Sequence, residues 1–68
     1  MNYREISQYY GKSVIIYYSI GIPMFDKPVL VLPEEDQKKT NRRFYIHINR
    51  DGREQVIRVH SIGKIEVA

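Results

Sequence analysis

The 68-residue sequence contains no cysteine, so neither a disulfide framework nor a thiolate metal site can stabilise the fold. A chain of this length lies near the lower limit at which one hydrophobic core supports independent folding, and small domains often depend on such additional links. We therefore expect a single, marginally stable domain over residues 1–68, with a raised tendency to bind a partner or to self-associate.

Long apolar segments are absent as well. The longest uninterrupted apolar run, Val14 to Tyr18, is bounded by a serine on each side and is far shorter than the roughly 18 residues of a membrane span. The N-terminal segment has no cationic start followed by an apolar core, which is the pattern of a secretory signal. Together with the lack of cysteine, these features predict a cytoplasmic protein that has no membrane partner.

The residue types that carry catalysis or bind metals are few and poorly spaced. Neither a glycine-rich phosphate loop nor a pair of carboxylates flanking a cleft is evident. His47 and His60 would lie about 13 Å apart on neighbouring strands, which is too far to share a zinc ion. The consecutive acids Glu34 to Asp36 lack the alternating ligands of a calcium loop. The sequence predicts a non-enzymatic protein without a metal site, a cofactor or a small-molecule substrate.

Local patterns predict a short helix followed by five strands. Asn2 followed by Glu5 resembles a capping box, and Gly11 is a typical C-terminal stop, so we expect a helix over about residues 2–10. Runs rich in β-branched and aromatic residues, separated by glycine, proline and polar residues, predict the strands. Their expected ranges are 13–20, 28–32, 42–49, 54–60 and 64–68, and residues 33–41 are expected to form a polar loop.

This order of elements resembles that of the SH3-like and Sm-like small barrels, in which a strongly bent five-stranded sheet closes around one core. The resemblance covers nearly the whole chain but depends on element order, and no family motif accompanies it. It implies a mainly β fold, namely a five-stranded antiparallel barrel with a short N-terminal α-helix. A fold resemblance of this kind does not by itself imply a function.

The clearest local feature is a β-hairpin around Asp51-Gly52. A two-residue turn at these positions gathers the apolar side chains of both strands on one face, whereas a three-residue loop would set Phe44 opposite Arg58. The hydrophobic pattern therefore favours the two-residue turn. It predicts that the core receives three side chains from the first strand of the hairpin: Phe44, Ile46 and Ile48.

The other face of the hairpin is predicted to be basic and aromatic. Residues 1–37 carry three basic and five acidic side chains, a net charge of −2, whereas residues 38–58 carry seven basic and two acidic ones, a net charge of +5. In the favoured register Arg43 lies beside His60, Tyr45 lies beside Arg58, and His47 is on the same side. The positive charge of the protein is thus concentrated on and around this hairpin.

Such a surface suits a polyanion, because arginine forks bind phosphates and aromatic rings stack on unpaired bases. We therefore predict a small binding module that engages RNA or DNA. The simpler interpretation is a solvated hairpin face on which Tyr45 and Arg58 form a cation–π pair. The predicted nucleic-acid contacts are Lys38, Lys39, Arg43, Tyr45, His47, Arg50, Arg53 and Arg58.

The alternative class of function uses the tyrosines, of which the chain has six. Adjacent residues of a helix or strand point in different directions, so one member of each tyrosine pair is expected at the surface. Tyr9, Tyr17 and Tyr18 are therefore candidates for a protein interface. With an exposed strand edge they would form a protein-interaction or inhibitor module of the accessory or mobile-element type, or a structural subunit that oligomerises.

Overall fold

The computed structural model describes residues 1–68 and contains one five-stranded antiparallel sheet with the strand order β4-β3-β2-β1-β5. Two short α-helices and one 3₁₀ turn connect to it. The elements are, in chain order, α1 (Tyr3–Ser7), β1 (Ser13–Tyr18), β2 (Val29–Val31), α2 (Glu34–Gln37), β3 (Tyr45–Arg50), β4 (Arg53–Arg58), the 3₁₀ turn (Val59–Ser61) and β5 (Ile62–Val67). All five predicted strands are present, and helix α2 lies inside the segment that was expected to be a polar loop.

Helix α1 begins with the predicted capping box. The Glu5 amide donates to the Asn2 side chain at 3.0 Å, and the Asn2 amide donates to the Glu5 carboxylate at 3.2 Å. These two bonds satisfy amides that would otherwise lack partners at the start of the helix. The helix ends at Ser7, earlier than predicted, and buries Ile6. A helix of five residues is not stable alone, so this contact with the core holds it in place.

The sheet must curl, because its two edge strands are consecutive in the chain. Strands β4 and β5 lie at opposite edges, which in a flat sheet would be about 19 Å apart at roughly 4.8 Å per strand. Only the 3₁₀ turn separates Arg58 from Ile62, and four residues span at most about 14 Å. No backbone pairing joins β4 to β5, so hydrogen bonds do not close the curled sheet.

The β3–β4 hairpin has the predicted register. Tyr45 pairs with Arg58 and Ile46 with Ile57, and the pairing continues without interruption to Arg50. Asp51 and Gly52 both have positive φ, at 51° and 82°, as expected for the central residues of a type I′ turn. The three-residue alternative is therefore excluded.

The core consists of ten buried side chains, all of them isoleucine or valine. They come from every strand except β4 and from α1 and the 3₁₀ turn. Phe44 is not among them, because 47% of its surface is exposed. The prediction that Phe44 belongs to the core is therefore wrong, although the same prediction is correct for Ile46 and Ile48.

No helix in the structure combines the length and the apolar character that a membrane crossing requires.

Candidate functional site

A turn at Asn41 explains why Phe44 lies outside the core. The Asn41 side chain accepts a hydrogen bond from the Arg43 amide at 3.0 Å, and its carbonyl accepts bonds from the Phe44 and Tyr45 amides, both at 3.0 Å. Asparagine commonly stabilises turns in this way. Strand β3 therefore begins at Tyr45 instead of residue 42. Arg43 and Phe44 precede the strand and are exposed at the end of the hairpin opposite its turn, which we call the open end.

Two exposed rings lie together at this end. The Phe44 and His60 ring centroids are 6.2 Å apart with an interplanar angle of 33°. The Val59 amide donates to the Phe44 carbonyl at 2.8 Å, which holds the 3₁₀ turn against the start of β3. The sequence predicted Arg43 beside His60, but in the structure His60 lies beside Phe44.

Tyr45 and Arg58 are cross-strand neighbours on the outer face, as predicted. Tyr45 is 40% exposed, and Arg58 is also exposed. Arg58 does not stack on Tyr45, since the four cation–π contacts of the chain involve other pairs. It forms no ion pair either. Both side chains are thus available to an external ligand.

The N-terminal helix adds a second aromatic and arginine group. The guanidinium carbons of Arg4 and Arg42 lie 6.0 Å and 5.7 Å from the centroid of the Tyr3 ring. The pKa of Tyr3 lies below its usual value, chiefly because of the neighbouring Arg4 guanidinium, with smaller contributions from Arg43 and Arg42. Tyr3 and Arg4 were missed by sequence reasoning, because no local pattern shows that α1 docks beside residues 42 and 43.

We call these residues together the aromatic–arginine patch, because consecutive residues 42–45 connect the group around Tyr3 to the rings at the open end of the hairpin. It extends from α1 through the Asn41 turn to the open end of the hairpin. Among its arginines, Arg42 pairs with Glu34 at 3.4 Å, whereas Arg4, Arg43 and Arg58 form no ion pair. The patch comprises Tyr3, Arg4, Arg42, Arg43, Phe44, Tyr45, Arg58 and His60.

His47, which was predicted to lie on the exposed face, is buried at 3% exposure. Strand β2, which pairs with β3, ends at Val31. Beyond that point the Gln37 side chain forms hydrogen bonds with the backbone of His47 in β3. The Gln37 carbonyl oxygen accepts from the His47 amide at 2.8 Å, and the Gln37 amide group donates to the His47 carbonyl at 2.8 Å. The expectation of an exposed His47 is wrong because α2 covers this part of β3.

The imidazole of His47 is also fixed by polar neighbours. Its Nε2 atom lies 2.9 Å from the Thr40 hydroxyl, and its Nδ1 atom lies 3.2 Å from a Glu54 carboxylate oxygen. Glu54 in turn pairs with Lys39 at 3.4 Å. With both ring nitrogens engaged, His47 has a structural role and no free atom to offer a ligand.

Two other predicted basic contacts are partly neutralised. Lys39 pairs with Asp36 at 3.3 Å as well as with Glu54, and these two carboxylates raise its pKa. Arg50 lies 3.7 Å from Asp26 and 4.9 Å from the centre of the Phe25 ring. Lys38 and Arg53, by contrast, are exposed and form no ion pair. The predicted basic contacts thus fall into three groups: the neutralised Lys39 and Arg50, the unpaired Lys38 and Arg53 outside the patch, and Arg43 and Arg58 within it.

The three tyrosines of the predicted protein interface lie in different places. Tyr9 is half-buried and packs against the core, and Tyr17 lies under the Lys64 ammonium group, 4.6 Å from its ring centre. Tyr18 is exposed and lines a groove of about 300 Å³ between the loop after β1 and strand β4, together with Met24, Phe25 and Ile57. The groove also includes Arg58 of the patch, so Tyr18 lies next to the patch, whereas Tyr9 and Tyr17 lie elsewhere.

No group of three or more histidine, cysteine, aspartate or glutamate residues is arranged to hold a metal ion. Comparisons with protein-family models, with curated proteins and with solved structures found no match to this chain.

Proposed function

We propose that the protein is a non-enzymatic module that binds single-stranded nucleic acid through the aromatic–arginine patch. The observation that carries this proposal is the combination of exposed rings with arginines that have no acidic partner. Phe44, Tyr45 and His60 are exposed, and Arg43 and Arg58 beside them form no ion pair. Other exposed apolar side chains, such as Ile20 and Ile22, are aliphatic and have no ring to stack on a base, whereas the rings of the patch lie near arginines without acidic partners.

The chemistry of the patch fits an unpaired strand better than a duplex. Exposed rings can stack on bases that are not already stacked on a partner strand, and each such contact contributes about 1 to 3 kcal/mol. Guanidinium groups on both sides of the rings bind the phosphates and hold the backbone in position. His47 and Lys39 take no part in this contact, because one is buried and the other is neutralised.

The test is the affinity for labelled single-stranded RNA, single-stranded DNA and a DNA duplex, measured by fluorescence anisotropy at several salt concentrations. If the patch contacts about three phosphates of a single strand, a fourfold rise in salt should weaken binding about twentyfold. The double variant Arg4→Glu/Arg43→Glu should lose at least about tenfold in affinity. The Phe44→Leu variant keeps the apolar area but loses the ring, and should lose about fivefold.

A matched control separates the patch from overall charge. Lys12→Glu/Lys27→Glu changes two exposed residues outside the patch and lowers the net charge from +3 to −1, as the patch variant does. It should bind almost as well as the wild type. Equal losses in the two double variants, or binding that does not depend on salt, would contradict the proposal. Preference for RNA or for DNA would identify the natural ligand class.

We also propose that the curled sheet is a small barrel of the SH3-like or Sm-like type. The short connection between β4 and β5 supports this arrangement, because it brings the two edges of the sheet together at one end. Small barrels often bind ligands through loops and strand ends, and the aromatic–arginine patch lies at such an end.

A further inference from the structure

Strand β4 has an open edge. It is the last strand of the sheet on its side, and the pair next to the two-residue turn, Arg50 and Arg53, exchanges hydrogen bonds. Alternation along the strand then directs the backbone groups of every second residue away from β3. The residues whose N–H and C=O groups point outward are Glu54, Val56 and Arg58.

This edge lacks the backbone devices that prevent pairing, although β4 carries charged side chains and lines a groove whose other wall is formed by Met24 and Phe25. Strand β4 contains no proline and pairs with β3 without a bulge, and no backbone hydrogen bond from a loop or turn reaches its outward groups. The opposite edge strand, β5, differs, because its pairing with β1 shifts register at Tyr17 and Tyr18. Bulges and proline are the usual devices that prevent strands from adding to an edge. On β4 the exposed Val56 even favours addition.

The sequence of β4 is complementary to itself. If two copies pair antiparallel around Val56, Glu54 of each copy lies opposite Arg58 of the other, and the two valines meet at the centre. Opposite charges and β-branched pairs directly across a ladder are stabilising. Registers centred on Glu54 or on Arg58 instead set two carboxylates or two guanidinium groups opposite each other. Only the Val56-centred register combines outward hydrogen bonding, apolar contact and charge complementarity.

We propose that this chain forms a two-fold symmetric dimer through antiparallel pairing of its β4 edges. The dimer joins the two sheets into one and turns the unpaired backbone groups of β4 into a ladder. Glu54 retains its contacts with Lys39 and His47, because a carboxylate has about four acceptor positions and can also receive the Arg58 of the second copy. An isologous contact of this kind closes at two copies, and the chain has no disulfide to supply stability in another way. The dimer does not require nucleic-acid binding, but the two proposals share one residue, because Arg58 belongs to the aromatic–arginine patch and also pairs with Glu54 of the second copy.

A charge-swap experiment tests the register. Sedimentation velocity over a wide range of concentrations, without oligonucleotide, should show a monomer–dimer equilibrium for the wild type. Glu54→Arg and Arg58→Glu each set like charges opposite each other, and each should raise the dimer dissociation constant about tenfold or more. The double variant Glu54→Arg/Arg58→Glu should restore dimerisation. Mixing the two single variants should give a heterodimer, because one then supplies arginines and the other glutamates.

A second variant tests the backbone edge. Val56→Pro removes an N–H that points away from β3, so the hairpin itself keeps its bonds, while an approaching strand loses a donor and meets the proline ring. This variant should be monomeric, and the control Val56→Thr should dimerise. NMR spectra of the backbone amides test whether both variants keep the fold. Should Val56→Pro unfold, the charge-swap set decides the question alone.

The dimer proposal fails if the wild type is monomeric at all concentrations, or if the charge-swapped double variant does not recover what the single variants lose. Oligonucleotide affinity of Val56→Pro reports separately on the aromatic–arginine patch, which does not include Val56. A monomeric Val56→Pro protein that still binds oligonucleotide would support both proposals as independent properties of the chain.

Discussion

The outer face of the β3–β4 hairpin has two halves that look alike in sequence and differ in the structure. In the half near the tip, His47 and Glu54 are held by Gln37, Thr40 and Lys39. In the half at the open end, Tyr45 and Arg58 have no such cover. Alternation along a strand predicts which side chains share a face, but whether that face meets water depends on what packs over it.

Gln37 covers the half near the tip because strand β2 is short. Strand β2 ends at Val31, and beyond it one backbone bond remains, from the Leu32 amide to the His47 carbonyl at 3.2 Å, so the His47 amide needs another partner. The Gln37 side chain supplies one, bonding Leu32 as well at 3.0 Å. A buried backbone amide without a partner is costly. The covered half is therefore expected to serve stability, and the open half is free to serve binding.

The largest effect is expected at Gln37. Gln37→Ala leaves the buried His47 amide without its acceptor and removes a donor from the His47 and Leu32 carbonyls, which should lower the free energy of unfolding by about 2 to 4 kcal/mol. Urea denaturation followed by circular dichroism measures this. The matched control Glu35→Ala lies on the same helix but is exposed, and should cost less than about 0.5 kcal/mol. Similar losses in both variants would show that the helix, and not the glutamine amide, provides the stability.

The two histidines should separate stability from binding. His47→Leu removes contacts to Thr40 and Glu54, and should lower the free energy of unfolding by about 1 to 2 kcal/mol while leaving oligonucleotide affinity unchanged. His60→Leu should change stability by less than about 0.5 kcal/mol and reduce affinity about fivefold, because a stacking ring is lost. Urea denaturation and fluorescence anisotropy with labelled oligonucleotide, applied to each variant, test both expectations. A loss of affinity in folded His47→Leu would contradict the division between the two halves.

The smallest effect is expected at Lys39, on the rim of the covered half. Its pairs with Asp36 and Glu54 are exposed to solvent, and exposed ion pairs contribute about 0.2 to 1 kcal/mol. Lys39→Ala should therefore reduce stability by less than about 1 kcal/mol in low salt, and by almost nothing in high salt. Thermal denaturation at two salt concentrations tests this. A large effect that persists in high salt would mean that Lys39 packs on the hairpin through its aliphatic chain.

Local sequence signals predicted the elements whose causes are local. The Asn2 capping box, the Asp51-Gly52 turn and the hairpin register depend on residues a few positions apart, and all three are found. The expected exposure of His47 failed because a glutamine ten residues away covers it. The expected burial of Phe44 failed because the Asn41 turn delays the start of β3 to Tyr45, one residue after Phe44.

The sequence alone determined that the chain is mainly β, with an antiparallel hairpin in the basic segment 38–58, which holds seven of the eleven basic side chains. Periodicity, turn residues and charge count are properties of neighbouring residues, so they can be read without a structure. Only the tertiary structure decided which of those basic side chains are exposed and lack an acidic partner. The docking of α1 beside residues 42 and 43, and of α2 over β3, brings together side chains that are distant in sequence. Packing of this kind depends on the curvature of the sheet and on where each strand ends, and no local pattern contains that information.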